Sequence, residues 1–136
     1  MSDSGRSVVR VENPDGVGPF AIVCDHASNR IPAEYQSFGF ANDALQTHIA
    51  WDPGALPVAR RLSATLDAPL LWPDVSRLVI DCNRDLDARG LIVTESEGRP
   101  VPANVGLSDG ERSRRIELIH TPYHAAIDAC LKRRQA

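Results

Sequence analysis

Short polar clusters interrupt the apolar runs of this 136-residue chain, and each cluster contains residue types that do chemistry. The first, DHASNR at residues 25–30, begins where the apolar run PFAIVC at residues 19–24 ends. A neutral imidazole is a good zinc ligand. His26 is therefore a candidate metal ligand, and Asn29 is either a second ligand or a group that orients the first. The alternative is that His26 only hydrogen-bonds at the end of a strand.

The second cluster is DCNRD at residues 81–85, just after the apolar run LVI. Arginine presents a rigid, two-pronged donor fork that matches a carboxylate, and asparagine adds an amide donor beside it. Asn83 and Arg84 together thus suit recognition of an acidic small molecule. The alternative is structural, with Arg84 paired to Asp25, Asp81 or Asp85.

Two further clusters have structural and chemical interpretations. Asp52 stands before Pro53, the pattern of a helix N-cap, although a carboxylate at an electropositive helix start can also face a site. His120 and His124 are four residues apart and share one face of a regular helix. Pro122 interrupts that helix, and the spacing lacks the glutamate of the HExxH zinc motif. A partly buried, hydrogen-bonded histidine pair is the preferred interpretation.

Three apolar runs predict the strands that position these clusters: residues 19–24, 68–72 and 78–82. Helical signals predict a turn at 32–35 and helices at 42–48 (capped by Asn42), at 53–66, and from Ser108 towards Lys132. Ser108 and Glu111 have capping-box spacing, and Pro122 should kink or divide the last helix. The Gly- and Pro-rich stretch 85–106 is predicted as a loop with a small strand at 91–94.

The connections between these elements predict an α/β fold with a mixed sheet and flanking helices. The first two strands are joined through a helix, which favours a parallel pair, and the second and third are joined by a tight turn, which favours an antiparallel pair. Residues 1–10 are predicted to form a disordered tail, and residues 11–136 a single domain. The polar clusters would lie beyond the carboxyl ends of the strands, where open α/β sheets bind ligands.

Composition excludes several classes of function. The 15 basic and 18 acidic residues give a net charge of −3, so nucleic acid is not expected as a partner. No apolar run is long enough to cross a bilayer, and the polar start does not resemble a signal peptide; a cytoplasmic protein without a membrane partner is expected. The three cysteines are widely spaced and form no CxxC pair, and the two in apolar runs, Cys24 and Cys82, are expected to be buried, reduced thiols. Ser28 is not in a GxSxG elbow, and no nucleotide-binding motif is present.

The segments DHASNRIP, HIAWDPGA, SRLVIDCNRDL and HTPYHAAID occur in this order and together resemble the N-formylglutamate amidohydrolase family, over residues 11–131. The resemblance implies a fold related to the zinc-dependent exopeptidases (phosphorylase/hydrolase-like) with a single zinc ion. It implies hydrolysis of an amide bond in N-formylglutamate or another small, acidic N-acyl amino acid.

The resemblance also implies roles for individual residues. His26 matches the histidine that binds the metal, and Asn29 falls where the exopeptidases place a carboxylate ligand. Asn83 and Arg84 match the pair that grips the substrate carboxylate. Asp52 matches a frequent aspartate near the metal and is assigned a catalytic role.

Tyr123 and His124 match a recurring PYH segment that lines the site. We assign Tyr123 to substrate binding and His124 to catalysis on this resemblance.

Family members are considerably longer than this chain, and their later half supplies another histidine, in a segment resembling LHSF, and the general base. The chain is therefore expected to form a partial, truncated domain that does not complete a conventional zinc site alone. Two other hypotheses follow: a catalytically incomplete fragment that binds a small anion or a partner protein, and a module that self-associates through an exposed sheet edge into a homo-oligomer.

Overall fold

The structure is a computed structural model that describes residues 6–35, 38–39 and 42–135. Its strands and helices are, in chain order, β1 (Val9–Glu12), β2 (Ile22–Val23), α1 (Asn42–Leu45), α2 (Ala55–Leu66), β3 (Leu70–Pro73), β4 (Glu95–Ser96), β5 (Arg99–Pro100), α3 (Asp109–Arg115) and α4 (Thr121–Gln135). Short 3-10 turns form at Ala33–Tyr35, as predicted, and at Pro102–Asn104, and a π-helical turn at Ile116–His120 joins α3 to α4.

The main sheet is mixed, with β3 at its centre. It has the order β1-β3-β2, in which β1 is antiparallel and β2 parallel to β3. All four residues of β3 are buried, which explains why its sequence is continuously apolar rather than alternating. The mixed sheet and the parallel pairing across helix α2 are therefore confirmed.

Strand β1 was not predicted, and it corrects the boundary drawn for the tail. Val9 and Arg10, which were assigned to a disordered tail, pair with Pro73 and Trp72 of β3. The segment VRVE alternates apolar and charged residues, the pattern of a strand with one solvated face. It is only four residues long, so its signal is weak beside the polar residues around it. Residues 1–5 of the predicted tail lie outside the described part of the chain.

The predicted third strand, residues 78–82, is wrong, and with it the antiparallel pair it was to form. These residues are buried irregular chain. Side chains supply the hydrogen bonds that a neighbouring strand would otherwise make. The carbonyls of residues 78, 79 and 82 accept hydrogen bonds from Asn104, Arg115 and His124, respectively. A buried backbone needs partners, but they need not belong to a sheet, and apolar periodicity cannot distinguish the two cases.

The small strand predicted at 91–94 is also wrong. Leu91 and Ile92 are buried in the main core without strand structure, and the extended chain starts at β4. Strands β4 and β5 pair as a separate hairpin whose tight turn contains Glu97 and Gly98, both with positive φ.

The helices differ from prediction mainly at their starts. Helix α2 begins at Ala55, and its N-cap is the left-handed Gly54, so the predicted side-chain cap by Asp52 does not form. The cap of α3 is confirmed, because the Ser108 hydroxyl accepts from the Glu111 N–H at 3.1 Å. Helix α1 is shorter than predicted, and the cap proposed for Asn42 concerns a side chain outside the described part.

Pro122 interrupts the last helix without ending it. The N–H of Thr121 donates to the carbonyl of Ile116, five residues back, which defines the π-helical turn just before the proline. Proline has no N–H to continue the ladder, and one wider turn accommodates it. A continuous helical segment thus runs from Asp109 to Gln135.

Helices α2 and α4 pack on the main sheet, α2 against β2 and β3 and α4 against β3 and β1. The larger apolar core fills the space between the sheet, the buried segment 78–82 and α4, and a smaller one lies under α2. Within residues 6–35, 38–39 and 42–135, no helix has the length and apolar character required to span a membrane.

Candidate functional site

His26 follows β2 directly and makes contacts with two carboxylates. Its Nε2 lies 2.7 Å from Asp81 Oδ1, and its Nδ1 lies 3.3 Å from Asp52 Oδ2. A carboxylate can only accept, so Nε2 carries the proton in the short bond and the ring orientation is fixed by Asp81. Parallel strands bring their carboxyl ends to one edge of the sheet, and the start of α2 brings Asp52 to the same place.

Arg77 joins the same two carboxylates from the other side. Its guanidinium lies 3.2 Å from Asp81 Oδ2 and 3.6 Å from Asp52 Oδ1. The four side chains therefore form a closed ring, His26–Asp81–Arg77–Asp52. With His26 protonated, the two negative charges are balanced by two positive ones, which reduces the cost of placing the nearly buried Asp81 carboxylate in this position.

The contacts within the ring shift the pKa values of His26 and Asp81 in opposite directions. The hydrogen bond to Asp81 raises the pKa of His26, although burial of the imidazole acts the other way. Burial alone would raise the pKa of Asp81, but hydrogen bonds from His26 and from the Asn83 N–H more than offset it, and the pKa is lowered. Asp81 is thus a carboxylate that stays ionised and holds the imidazole.

Asp52 is held by its backbone and leaves its carboxylate accessible. Its N–H donates to the His26 carbonyl at 2.9 Å, and its own carbonyl accepts from the Ala55 N–H. The side chain is 52% exposed and is not used as a helix cap. Because α2 starts later than predicted, the carboxylate is available to His26 and to solvent.

Asn83 and Arg84 lie beside this ring and are both exposed. Arg84 is only loosely paired, with its Nε 3.9 Å from Asp81 Oδ2 and 56% of its side chain accessible. The side chain lies over Gly90, where an added Cβ would be 3.5 Å from Nε. Asn83 and Arg84 therefore present hydrogen-bond donors to solvent next to Asp81, which binds His26. Recognition of a carboxylate would require such donors.

The two histidines of HTPYH are neighbours, as predicted from their spacing. Their rings lie 4.4 Å apart, and each Nε2 meets a backbone carbonyl: His120 that of Arg84 at 2.9 Å, and His124 that of Cys82 at 2.8 Å. The predicted hydrogen-bonded pair is confirmed.

Tyr123 is held inside the protein by a hydrogen bond to the residue before His26. Its side chain is completely buried, and its hydroxyl donates to Asp25 Oδ1 at 2.5 Å. Burial and the neighbouring Asp25 carboxylate raise the pKa of this phenol. Tyr123 therefore anchors Asp25, the residue that precedes His26, and its assignment to substrate binding stays a prediction.

Asn29 is held away from the ring by a different interaction. Its side-chain amide donates to the Leu45 carbonyl at the end of α1, at 2.8 Å. This bond gives Asn29 a structural role in fixing the loop after β2. Neither of its atoms is placed by the structure in contact with His26, and its assignment as a ligand stays a prediction.

Asp81 and Arg77 were not predicted to contact His26. The available signal was position: Asp81 ends a buried run two residues before Asn83, and Arg77 stands four residues earlier. Which of several carboxylates would reach His26 depends on the path of the irregular segment 78–82, which the sequence pattern describes wrongly as a strand.

The described residues contain no group of three or more His, Cys, Asp or Glu side chains arranged to hold a metal. The cysteines do not extend the donor set, because all three are buried and free, and burial raises the pKa of Cys82 to about 12. A thiol of that pKa is protonated near neutral pH. Two donor atoms do converge, namely Nδ1 of His26 and Oδ2 of Asp52.

Comparisons with known proteins give a consistent result. Residues 18–136 match the family model described as N-formylglutamate amidohydrolase. The crystal structure of gene product Atu2144 from Agrobacterium tumefaciens superposes with a TM-score of 0.95 at 38% identity, over 99% of this chain and 54% of that chain. This chain thus spans about half the length of the solved structure. No protein with a curated function matches it.

Proposed function

Because the chain belongs to the N-formylglutamate amidohydrolase family, we propose that the His26 ring is part of a metal-assisted site that hydrolyses the amide of a small, acidic N-acyl amino acid. The single observation that carries this proposal is the convergence of His26 Nδ1 and Asp52 Oδ2, 3.3 Å apart. This separation is long for a strong hydrogen bond between charged partners.

The distance suits two ligands of one zinc ion. Bonds of about 2.0 Å at a tetrahedral angle place neighbouring donor atoms about 3.3 Å apart. Asp81, on the opposite ring nitrogen, corresponds to the carboxylate that commonly orients a metal-bound histidine. The residues present therefore fit zinc as a partial donor set of one imidazole nitrogen and one carboxylate oxygen.

When bound, zinc supplies a water of lowered pKa and polarises the acyl carbonyl. The chain's own residues have three tasks. Asp81 keeps Nδ1 of His26 aimed at the shared position, Arg77 holds both carboxylates in place, and Arg84 with Asn83 binds the distal carboxylate of the substrate, which fixes the scissile amide near His26. In this scheme Asp52 is the exposed carboxylate of the ring, and it lies next to the amide that is hydrolysed.

Other parts of the proposal rest on separate observations. The β2–α2–β3 unit, with the site at its carboxyl end, supports an exopeptidase-like fold. Three free, buried cysteines support a reducing compartment such as the cytoplasm.

Metal content is the first test. The purified chain is expected to bind one zinc, measured by elemental analysis and calorimetric titration, and His26→Ala should abolish this binding because it removes a donor. His48→Ala is the matched control, since His48 is exposed and pairs with Glu97. With N-formylglutamate, release of formate should stop after chelation and return with zinc.

A binding-only function is the second candidate, favoured by the two-donor set within the described residues. Absence of zinc binding in the wild-type chain, with N-formylglutamate still bound through Arg84, would establish this second candidate and overturn the first. Zinc retained by His26→Ala would show that the metal lies elsewhere.

A further inference from the structure

His120 and His124 grip the two ends of the Asn83-Arg84 dipeptide. The Nε2 of His124 lies 2.8 Å from the carbonyl of Cys82, which precedes the dipeptide, and the Nε2 of His120 lies 2.9 Å from the carbonyl of Arg84, which ends it. Carbonyl oxygens only accept, so both Nε2 atoms carry a proton and donate. We call this pair of bonds the histidine clasp.

The π-helical turn positions the clasp. It adds one residue to the turn that ends at His120, and so changes the direction of the side chains on either side of it. His120 and His124 then stack with their rings tilted by 35° and their centroids 4.4 Å apart. Such turns cost helix regularity, and they are frequently retained at functional sites.

The backbone of the dipeptide is fixed on its other side as well. The Asn83 N–H donates to the Asp81 carboxylate at 2.9 Å, and the Arg84 N–H donates to the Asp81 carbonyl at 3.1 Å. The main chain is therefore held by four hydrogen bonds while both side chains remain exposed. A rigid backbone that carries exposed donors is the arrangement that makes a binding pair selective, because little ordering remains to be done on binding.

We propose that His120 and His124 are positioning residues that set selectivity for a substrate carboxylate by holding Asn83 and Arg84 in place. This inference rests on the proposed function of the dipeptide and extends it to residues outside the His26 ring. It also changes the role assigned to His124, from catalysis to positioning, because its Nε2 is committed to the Cys82 carbonyl.

The test compares His120→Ala and His124→Ala with His120→Gln and His124→Gln. A glutamine amide can place an N–H near the position of Nε2, whereas alanine removes the donor. Amide hydrogen exchange at residues 83 and 84 is measured by NMR, and dissociation constants are measured for N-formylglutamate and its neutral analogue N-formylglutamine. Glu117→Ala, exposed on the same helical segment, is the matched control.

Each alanine variant is expected to speed exchange at residues 83 and 84 by about 5- to 10-fold, and to reduce the preference for the acid over the amide by a similar factor, because one hydrogen bond is lost. The glutamine variants should restore both values, and Glu117→Ala should change neither. Unchanged exchange in both alanine variants would overturn the clasp.

The preference for N-formylglutamate over N-formylglutamine distinguishes a failure of the clasp from a failure of the proposed function on which it rests. If Arg84→Ala lowers the preference for the acid but the alanine variants of the clasp do not, the positioning role is overturned alone. If Arg84→Ala also leaves the preference unchanged, the carboxylate-binding role of the dipeptide is overturned, and the selectivity role of the clasp is overturned with it.

Discussion

The residues around His26 fall into two groups. The side chains of one group face solvent, and the side chains of the other group are buried and fix the local structure. Asp52, Asn83 and Arg84 are exposed, whereas Asp81 and Tyr123 are buried and bonded to their neighbours. The residue types proposed for the site could be identified from the sequence. Their exposure could not, because it depends on where the irregular segment 78–84 runs.

Replacement of Arg84 by alanine should weaken binding of N-formylglutamate by about 10- to 100-fold, since a charge-assisted, two-pronged contact is lost. Arg84→Lys should recover only part of the affinity, because an ammonium retains the charge without the fork. Calorimetric dissociation constants measure both effects, with Arg89→Ala, exposed and five residues on, as the control. An unchanged dissociation constant in Arg84→Ala would refute the role of Arg84 in binding the substrate carboxylate.

Tyr123→Phe should lower stability without changing ligand affinity. It removes the hydroxyl that donates to the Asp25 carboxylate, a bond worth about 1.5–3 kcal/mol. Urea unfolding of this variant is compared with Leu131→Ala, which is half-exposed in the same helix and should cost about 0.5 kcal/mol or less. Normal stability combined with weaker ligand binding would instead support the assignment of Tyr123 to substrate binding.

At the scale of elements, prediction succeeded where a local signal acts alone. The Ser108 cap, the parallel pairing across α2 and the neighbouring histidines follow from spacing and were confirmed. Prediction failed for residues 78–82, since the backbone partners there are side chains distant in sequence. No periodicity in LVIDC reveals that Asn104 and Arg115 supply those partners.

Asn104 is the central residue of that support. Its amide donates to the carbonyls of Leu78 and Val93, each at 2.8 Å, and its oxygen accepts from the buried Arg115 at 2.7 Å. Asn104→Leu leaves the Leu78 and Val93 carbonyls without this donor and removes one of the two acceptors of Arg115 Nη1, so it should destabilise the protein by about 3 kcal/mol or more. Urea denaturation measures this loss, and Val105→Ala, at an exposed neighbour, is the control. A loss below about 1 kcal/mol would mean that water replaces the amide.

At the scale of the whole molecule, Glu111 connects the first quarter of the chain to α3. It accepts from the Tyr35 hydroxyl at 2.7 Å and from Arg115 Nε at 3.1 Å. Burial alone would raise its pKa, but these hydrogen bonds lower it below the ordinary value of 4.5. The folded state therefore favours the charged form, and Glu111 contributes stability above pH 4.5 that is lost as pH falls through the lowered pKa.

The melting temperature of the wild type should accordingly exceed that of Glu111→Gln at pH 7, and the difference should shrink as pH falls below about 4.5. Thermal unfolding between neutral and acidic pH measures it, with Glu117→Gln, exposed nearby, as the control. If the difference in melting temperature stays constant over this range, the loss of stability in acid arises from other carboxylates.

Among the residues that the structure describes, β2 is an edge strand of the main sheet, and this edge gives the homo-oligomer hypothesis a defined location. Phe20 and Val23 beside this edge and Val58 and Leu62 on α2 are all substantially exposed. One open concave surface of about 610 Å³ is lined by Ile22, Val23, Cys24, Val58, Ala59 and Leu62, among others. Self-association through this surface remains a hypothesis, and light scattering of the purified chain at several concentrations would measure it.

The side-chain support of residues 78–84 also bears on the order of folding. The hydrogen bonds to these carbonyls join residues 26 to 42 positions apart in the chain. Three of the four come from the helical segment Asp109 to Gln135, so they form only after that segment has docked. Closing such long loops costs entropy before any contact compensates for it. The dipeptide that would recognise substrate is thus expected to be among the last parts to become ordered, and substitutions in its support should accelerate unfolding more than they slow folding.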